Sequence, residues 1–144
     1  MADIVTLEFH GLKEFTSDLK GVWDDYPQET KNFLKRQGTS FVRDVRDKMP
    51  AHWSKGKYAP KKAKNWDRDI QKDDGGSYKE VDIHCRAPHW GLLEHGHRMV
   101  LWGRPTNGFV QGFHYCENTR KEWETKLPKH VLEYIDKLLK KHKL

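Results

Sequence analysis

Apolar and polar positions follow two periods along this chain, and the switches between them mark out the elements. In IVTLEF, residues 4–9, Val5, Leu7 and Phe9 share one face and Ile4, Thr6 and Glu8 the other, which predicts a short edge strand. Gly11 breaks that alternation. Leu12, Phe15, Leu19 and Val22 then recur at three- and four-residue steps, the apolar stripe of a helix. Asp24 or Asp25 followed by Pro27 predicts a stop and restart, because proline is accepted in a first helical turn, where its missing N–H goes unused. The second helix carries Phe33, Leu34, Phe41, Val42, Val45 and Met49 and ends at Pro50.

The period of two returns in YKEVDIHCR, with Val81, Ile83 and Cys85 on one face and Glu80, Asp82, His84 and Arg86 on the other. Before it, KDDGGSY reads as a hairpin turn with Gly75 and Gly76 supplying positive φ. After it come a short turn, an extended MVLW, a loop at GRPTNG and a short strand at FVQGFHY. From Asn118 to Leu144 the period is helical, with Trp123, Leu127, Val131, Tyr134, Ile135, Leu138 and Leu139 as the inner stripe and Pro128 predicting a bend or restart near Lys126. Residues 51–80 show no sustained period and are expected to be a flexible arm or hairpin. The pattern therefore predicts an α+β fold in one domain, 1–144. A small antiparallel sheet is packed by a long N-terminal helical region and a C-terminal helix, with a basic projecting arm or hairpin.

Composition adjusts this picture. The 144 residues suffice for one core, yet only 35 % are hydrophobic, 33 % are charged and 12 % are aromatic, including six tryptophans. So polar a chain with so many aromatics fits a protein whose core is completed by neighbouring subunits. The formal charge of +6 suits either nucleic acid or acidic protein surfaces, and lysines that merely solvate helices explain it as well. Two cysteines, Cys85 and Cys116, form no CxxC pair and read as buried free thiols. The N-terminus lacks the pattern of a signal peptide and no run of 18 apolar residues is present, so a chain made in the cytosol with no membrane association is expected.

The stretch HWGLLEHGHRMVLWG, residues 89–103, concentrates three histidines and a glutamate. As a zinc site it is poorly spaced: His95 and His97 flank a glycine, HEXXH is absent, and His114, Cys85 and Cys116 join only through tertiary placement. A Cys116 nucleophile paired with His95 or His114 lacks the helix N-terminus and glycines that activate a thiolate. Asp67, Asp69, Asp73 and Asp74 cluster as Mg²⁺ ligands do, but within the solvated arm. Phosphate-binding glycine loops are missing. No enzyme, cofactor or metal is expected. As architecture the stretch is more specific. Pro88 opens a helical turn, Trp90 and Leu93 point inward, and Gly96 ends the turn with a positive φ. Glu94 lies at the end of the turn, where backbone N–H groups, Arg98 or Arg104 are its candidate partners.

This arrangement resembles a family of bacteriophage tail components, the tail-completion or head–tail joining subunits in the neck of lambda-like and related tailed phages. The likeness is carried by Trp90, Leu92, Leu93, Glu94, His95, Gly96 and His97, then Gly112, Phe113 and His114 before a last amphipathic helix, and by a helical region ending at Met49–Pro50. It is best over about residues 80–130. It departs after Pro50, where AHWSKGKYAPKKAKNW stands in place of a Thr-Gly-Leu-Arg-like segment and Lys55, Gly56 and Tyr58 are the nearest echo. The resemblance implies a non-enzymatic virion subunit, six-fold in its ring, meeting connector and tail-tube neighbours and passing through the host cytoplasm during assembly. Trp53, Tyr58, Lys61, Lys62, Lys64 and Trp66 are then the candidate subunit-contact arm. The alternative is a small basic nucleic-acid-binding protein, with those lysines on phosphates and Tyr58 and Trp66 stacked on bases.

Overall fold

The structure, a computed structural model, describes residues 12–72, 75 and 78–144. Its elements are α1 (Leu12–Asp47), 3-10 turns at Ala51–Ser54 and Ala63–Asn65, β1 (Trp66–Lys72), β2 (Tyr78–Cys85), α2 (Trp90–His95), β3 (Gly96–Leu101), β4 (Arg104–Gln111) and α3 (Tyr115–Lys141). The α+β class inferred from periodicity is the one observed. The strand expected at residues 4–9 lies outside the described residues, as does most of the KDDGGSY turn.

Two long antiparallel helices form the frame. Phe41 meets Trp123 edge-on at 5.6 Å, and at the other end His142 reaches Asp25 at 2.9 Å. Both expected restarts are absent, because Pro27 lies inside a continuous 36-residue α1 and Pro128 inside α3. A proline removes one i→i−4 bond and crowds the turn before it. Here the flanking turns are fixed from outside the helix. Thr30 and Tyr134 share a 2.7 Å hydroxyl bond, Phe33 stacks on Tyr134 at 4.5 Å, and Lys141 spans Asp25 and Glu29 at 3.1 and 3.3 Å. Across Pro128, Trp123 donates its indole N–H to Asp44 at 2.8 Å and His130 bonds Gln37 at 2.8 Å.

The core gathers where α1 ends. Val42, Val45, Met49 and Trp66 are buried there, with Phe41, Ile83, Cys85, Trp90 and Cys116 against them. The inward face of β2 is thus the one its alternation predicted. In the N-terminal stripe of α1, Phe15 and Leu19 are exposed and Val22 is half-buried. The α3 stripe is also only partly inward: Trp123 and Leu138 are buried, whereas Leu127 and Ile135 face out.

Among the described residues the strands form two separate antiparallel hairpins rather than one sheet, β1 with β2 and β3 with β4. β1 was not legible as a strand because WDRDIQK buries only its first residue. In the second hairpin the turn is Trp102–Gly103, both at positive φ (53° and 75°), and the rest of GRPTNG, from Arg104 on, is strand rather than loop. Primed two-residue turns match the natural twist of a strand pair. Pro105 gives up its N–H at this edge, and the Thr106 hydroxyl donates to the Met99 carbonyl at 2.7 Å, beside a bulge at Arg98–Val100.

Candidate functional site

The candidate arm divides in two. Residues 51–65 are tied to the end of α1 through Lys61. Asn65 is buried and donates through Nδ2 to the carbonyls of Lys57 (3.1 Å) and Ala59 (2.8 Å), closing the lysine-rich loop. Lys61 donates Nζ to the Met49 carbonyl at 2.6 Å, while its own carbonyl accepts from Arg46 Nε at 2.7 Å. Lys64 gives its carbonyl to Arg86 at 2.8 Å. Trp66 is a core residue, its indole N–H on the Pro60 carbonyl at 2.6 Å and its ring edge-on to Trp90 at 5.1 Å. Trp53 packs edge-on against Phe113 and Tyr115 at 5.0 and 5.8 Å. Of the six residues assigned to a subunit-contact arm, Trp53, Lys61 and Trp66 are therefore engaged within the chain; Tyr58 and Lys64 are exposed, and Lys62 is half-buried. The aromatic spacing that suggested stacking belongs to the core.

The histidine-bearing stretch forms a corner in which Glu94, not an imidazole, is central. Glu94 is 3 % exposed, and its carboxylate accepts from the backbone N–H of Cys116 (3.2 Å) and Glu117 (3.0 Å). These are the second and third residues of α3, whose own N-cap, His114, supplies no side-chain cap. An ordinary N-cap Ser or Asp bonds those same amides. Here a glutamate twenty-two residues upstream does so, and its charge also meets the positive end of the helix dipole. The reverse end is paired too: Phe113 N–H donates to the Leu93 carbonyl (2.8 Å) and His114 N–H to the Glu94 carbonyl (3.1 Å), so the last carbonyls of α2 are satisfied by the approach to α3. Arg98 and Arg104 are not the partners of Glu94.

Two glycines permit this crossing. Gly96 has φ 82° and ψ 177°, a region essentially reserved for glycine. A Cβ on it would collide with the Val110 carbonyl and lie 2.7 Å from Gly112 N; a Cβ on Gly112 would collide with the Glu94 carbonyl and lie 2.6 Å from Gly96 N. The two backbones touch face to face.

The histidines sit around this joint without converging. His95 is exposed, His97 Nδ1 bonds the Arg98 carbonyl at 3.0 Å, and His114, at φ 54°, has Nδ1 3.1 Å from Glu117 Oε2 without hydrogen-bond geometry. Among the described residues no group of three or more His, Cys, Asp or Glu is arranged to hold a metal ion. A cleft of about 620 Å³ bordered by Glu94, His95, Cys85 and Cys116 lies beside the joint. Burial, the Glu94 charge and Cys85 push the Cys116 thiol up to about 12 from its ordinary 9.0, and burial raises Cys85 as well. A thiol so placed is protonated at neutral pH. Alkylation of Cys116 by iodoacetamide at pH 8 is accordingly expected to run roughly a thousandfold slower in the native protein than in the unfolded chain, because the thiolate reacts. Equal rates would contradict the burial. A raised acid pKa favours the fold while the thiol is neutral, so this contribution is full below pH 9.0 and is lost as pH rises toward 12.

What sequence reasoning missed is polar and long-range. Asp44 receives the Trp123 indole and lies 3.9 Å from Lys126, Asn65 closes its loop, and Trp102 stands 99 % exposed on the hairpin tip. A tryptophan before glycine in a run of extended residues was the available signal for that tip. No helix among the described residues is long and apolar enough to cross a membrane. Compared with protein-family models, with curated proteins and with solved structures, the chain shows no match.

Proposed function

We propose that this chain is a structural subunit of a tailed-phage neck, a tail-completion protein that joins a ring at the head–tail junction and carries out no catalysis. The observation that carries this reading is the balance of apolar surface. Nine hydrophobic residues are buried among those described, whereas fifteen large ones are exposed, including Trp102, Trp23 and Leu132 at 99 %, 76 % and 67 %. Exposed apolar surface on this scale marks association. The corner supports the same reading, since its polar groups are spent on joining elements.

Deleting the gene in a tailed phage that encodes it is expected to leave filled heads and finished tails unjoined, with joining restored by the purified protein. Normal joined particles from the deletion would overturn the proposal. Against the nucleic-acid alternative, Lys61→Glu with Lys62→Glu and Lys64→Glu removes no DNA affinity on this reading. DNA retention by the parent that falls steeply with salt and vanishes in the triple variant would favour the alternative.

A further inference from the structure

The chain has four asparagines, Asn32, Asn65, Asn107 and Asn118, of which only Asn107 precedes a glycine. An asparagine carboxamide is an electrophile within reach of its own backbone, because the nitrogen of the next residue can attack Cγ and close a succinimide ring. Two things restrain that attack: a side chain on the next residue, and whatever holds the intervening peptide in place. Glycine has no Cβ to crowd the nitrogen and leaves the backbone its widest choice of φ and ψ.

The fold treats the four positions differently. Asn32 and Asn118 lie inside α1 and α3, where Phe33 and Thr119 follow them and helical geometry fixes the peptide. Asn65 is buried, precedes Trp66, and spends its Nδ2 on the carbonyls of Lys57 and Ala59. Asn107 is exposed, and its carboxamide makes no hydrogen bond among the described residues. It also lies where the β3–β4 register breaks. Arg98 faces Phe109 and Val100 faces Pro105, so residues 106–108 bulge opposite Met99 without Cα partners of their own. The Gly108 N–H donates to the Thr106 hydroxyl at 3.2 Å, a local bond that bends the chain around Asn107.

We propose that Asn107–Gly108 is a self-modification site, at which the chain converts Asn107 to aspartate and isoaspartate without an enzyme. The Gly108 nitrogen loses its proton to hydroxide and bonds to Asn107 Cγ; the bond from Cγ to Nδ2 breaks, and the amide nitrogen leaves as ammonia. Water then opens the succinimide at one carbonyl or the other. One opening gives aspartate; the other routes the backbone through the side chain as isoaspartate. The net change consumes one water and releases one ammonia, with no oxidant or cofactor. Its consequence is electrostatic. Arg98 and Arg104 are the only charged residues between Glu94 and Glu117, so the new carboxylate is the sole negative charge on this hairpin.

The test is incubation of the full chain in mildly alkaline buffer, folded and, in parallel, unfolded in guanidinium chloride, followed by peptide mapping with mass spectrometry. In the folded parent, the peptide holding residue 107 is expected to exchange the mass of an amide for that of a carboxyl. The rate should lie within about tenfold of the unfolded chain, because local opening of such a bulge costs little. Asn107→Gln abolishes the change at this position. Gly108→Ala slows it by about tenfold or more, since a methyl then crowds the attacking nitrogen. That variant folds as the parent does, because Gly108 has no positive φ and the added carbon comes no nearer than 3.3 Å to Met99. A folded parent reacting more than about tenfold slower than the unfolded chain overturns the proposal. So does conversion at Asn32, Asn65 or Asn118 ahead of Asn107, or an undiminished rate in Gly108→Ala.

Discussion

Gly112→Ala is expected to lower the melting temperature by about 12 °C or more, the equivalent of at least about 4 kcal/mol at roughly 3 °C per kcal/mol for a chain of this size. One methyl has this effect because its neighbours are backbone. The Glu94 carbonyl and the Gly96 amide would both have to retreat; the first accepts from His114 at the approach to α3, and the second closes α2 on the Leu92 carbonyl. Gly96→Val should be at least as damaging, since it adds a positive φ that a β-branched residue does not tolerate. By contrast Gly91→Ala, whose added carbon meets nothing within 4 Å, serves as the neutral control. Circular dichroism melts of the three variants decide the matter; a Gly112→Ala protein melting within 2 °C of the control, on the order of half a kcal/mol, would contradict the crossing.

Glu94→Ala is expected to destabilise by about 2–4 kcal/mol, combining a lost charged cap, two unpaired amides at the start of α3 and a small void. Glu94→Gln keeps the shape and one acceptor oxygen, so about half that loss is expected. Denaturant titration separates the two: a Gln variant as damaged as Ala would mean that charge, not geometry, governs the cap, and a Gln variant as stable as the parent would mean the reverse. The expected order is parent, then Gln, then Ala. The distance between sequence positions makes the result informative, because residue 94 then controls amides at 116 and 117.

Local features of the chain were readable because their causes are local. The β2 alternation, the turn from Pro88 to Gly96 and the helical stripes depend on neighbours two to four residues away, and a positive φ at Gly96 follows from the turn itself. What was not readable depends on distant partners. Pro27 and Pro128 look like breaks until Tyr134, Asp44 and Gln37 are known to hold the turns around them. Trp66 looks like a surface aromatic among lysines until Pro60 and Trp90 are seen to enclose it. The burial of Glu94 was anticipated, with backbone amides, Arg98 or Arg104 as its candidate partners, but spacing does not reveal that amides at the start of the last helix are the ones it meets. Tertiary contact overrides local preference at each of these positions.

The role of the histidine-bearing stretch can be decided by amide hydrogen exchange at Cys116 and Glu117. If the stretch is a joint held by a carboxylate, Glu94→Ala raises exchange at these two amides by at least thirtyfold, corresponding to about 2 kcal/mol of local protection. His95→Ala with His97→Ala then leaves both rates at the parental value. Slow exchange surviving in Glu94→Ala, with loss of protection in the histidine double variant instead, would contradict the account and return the centre of the site to the imidazoles.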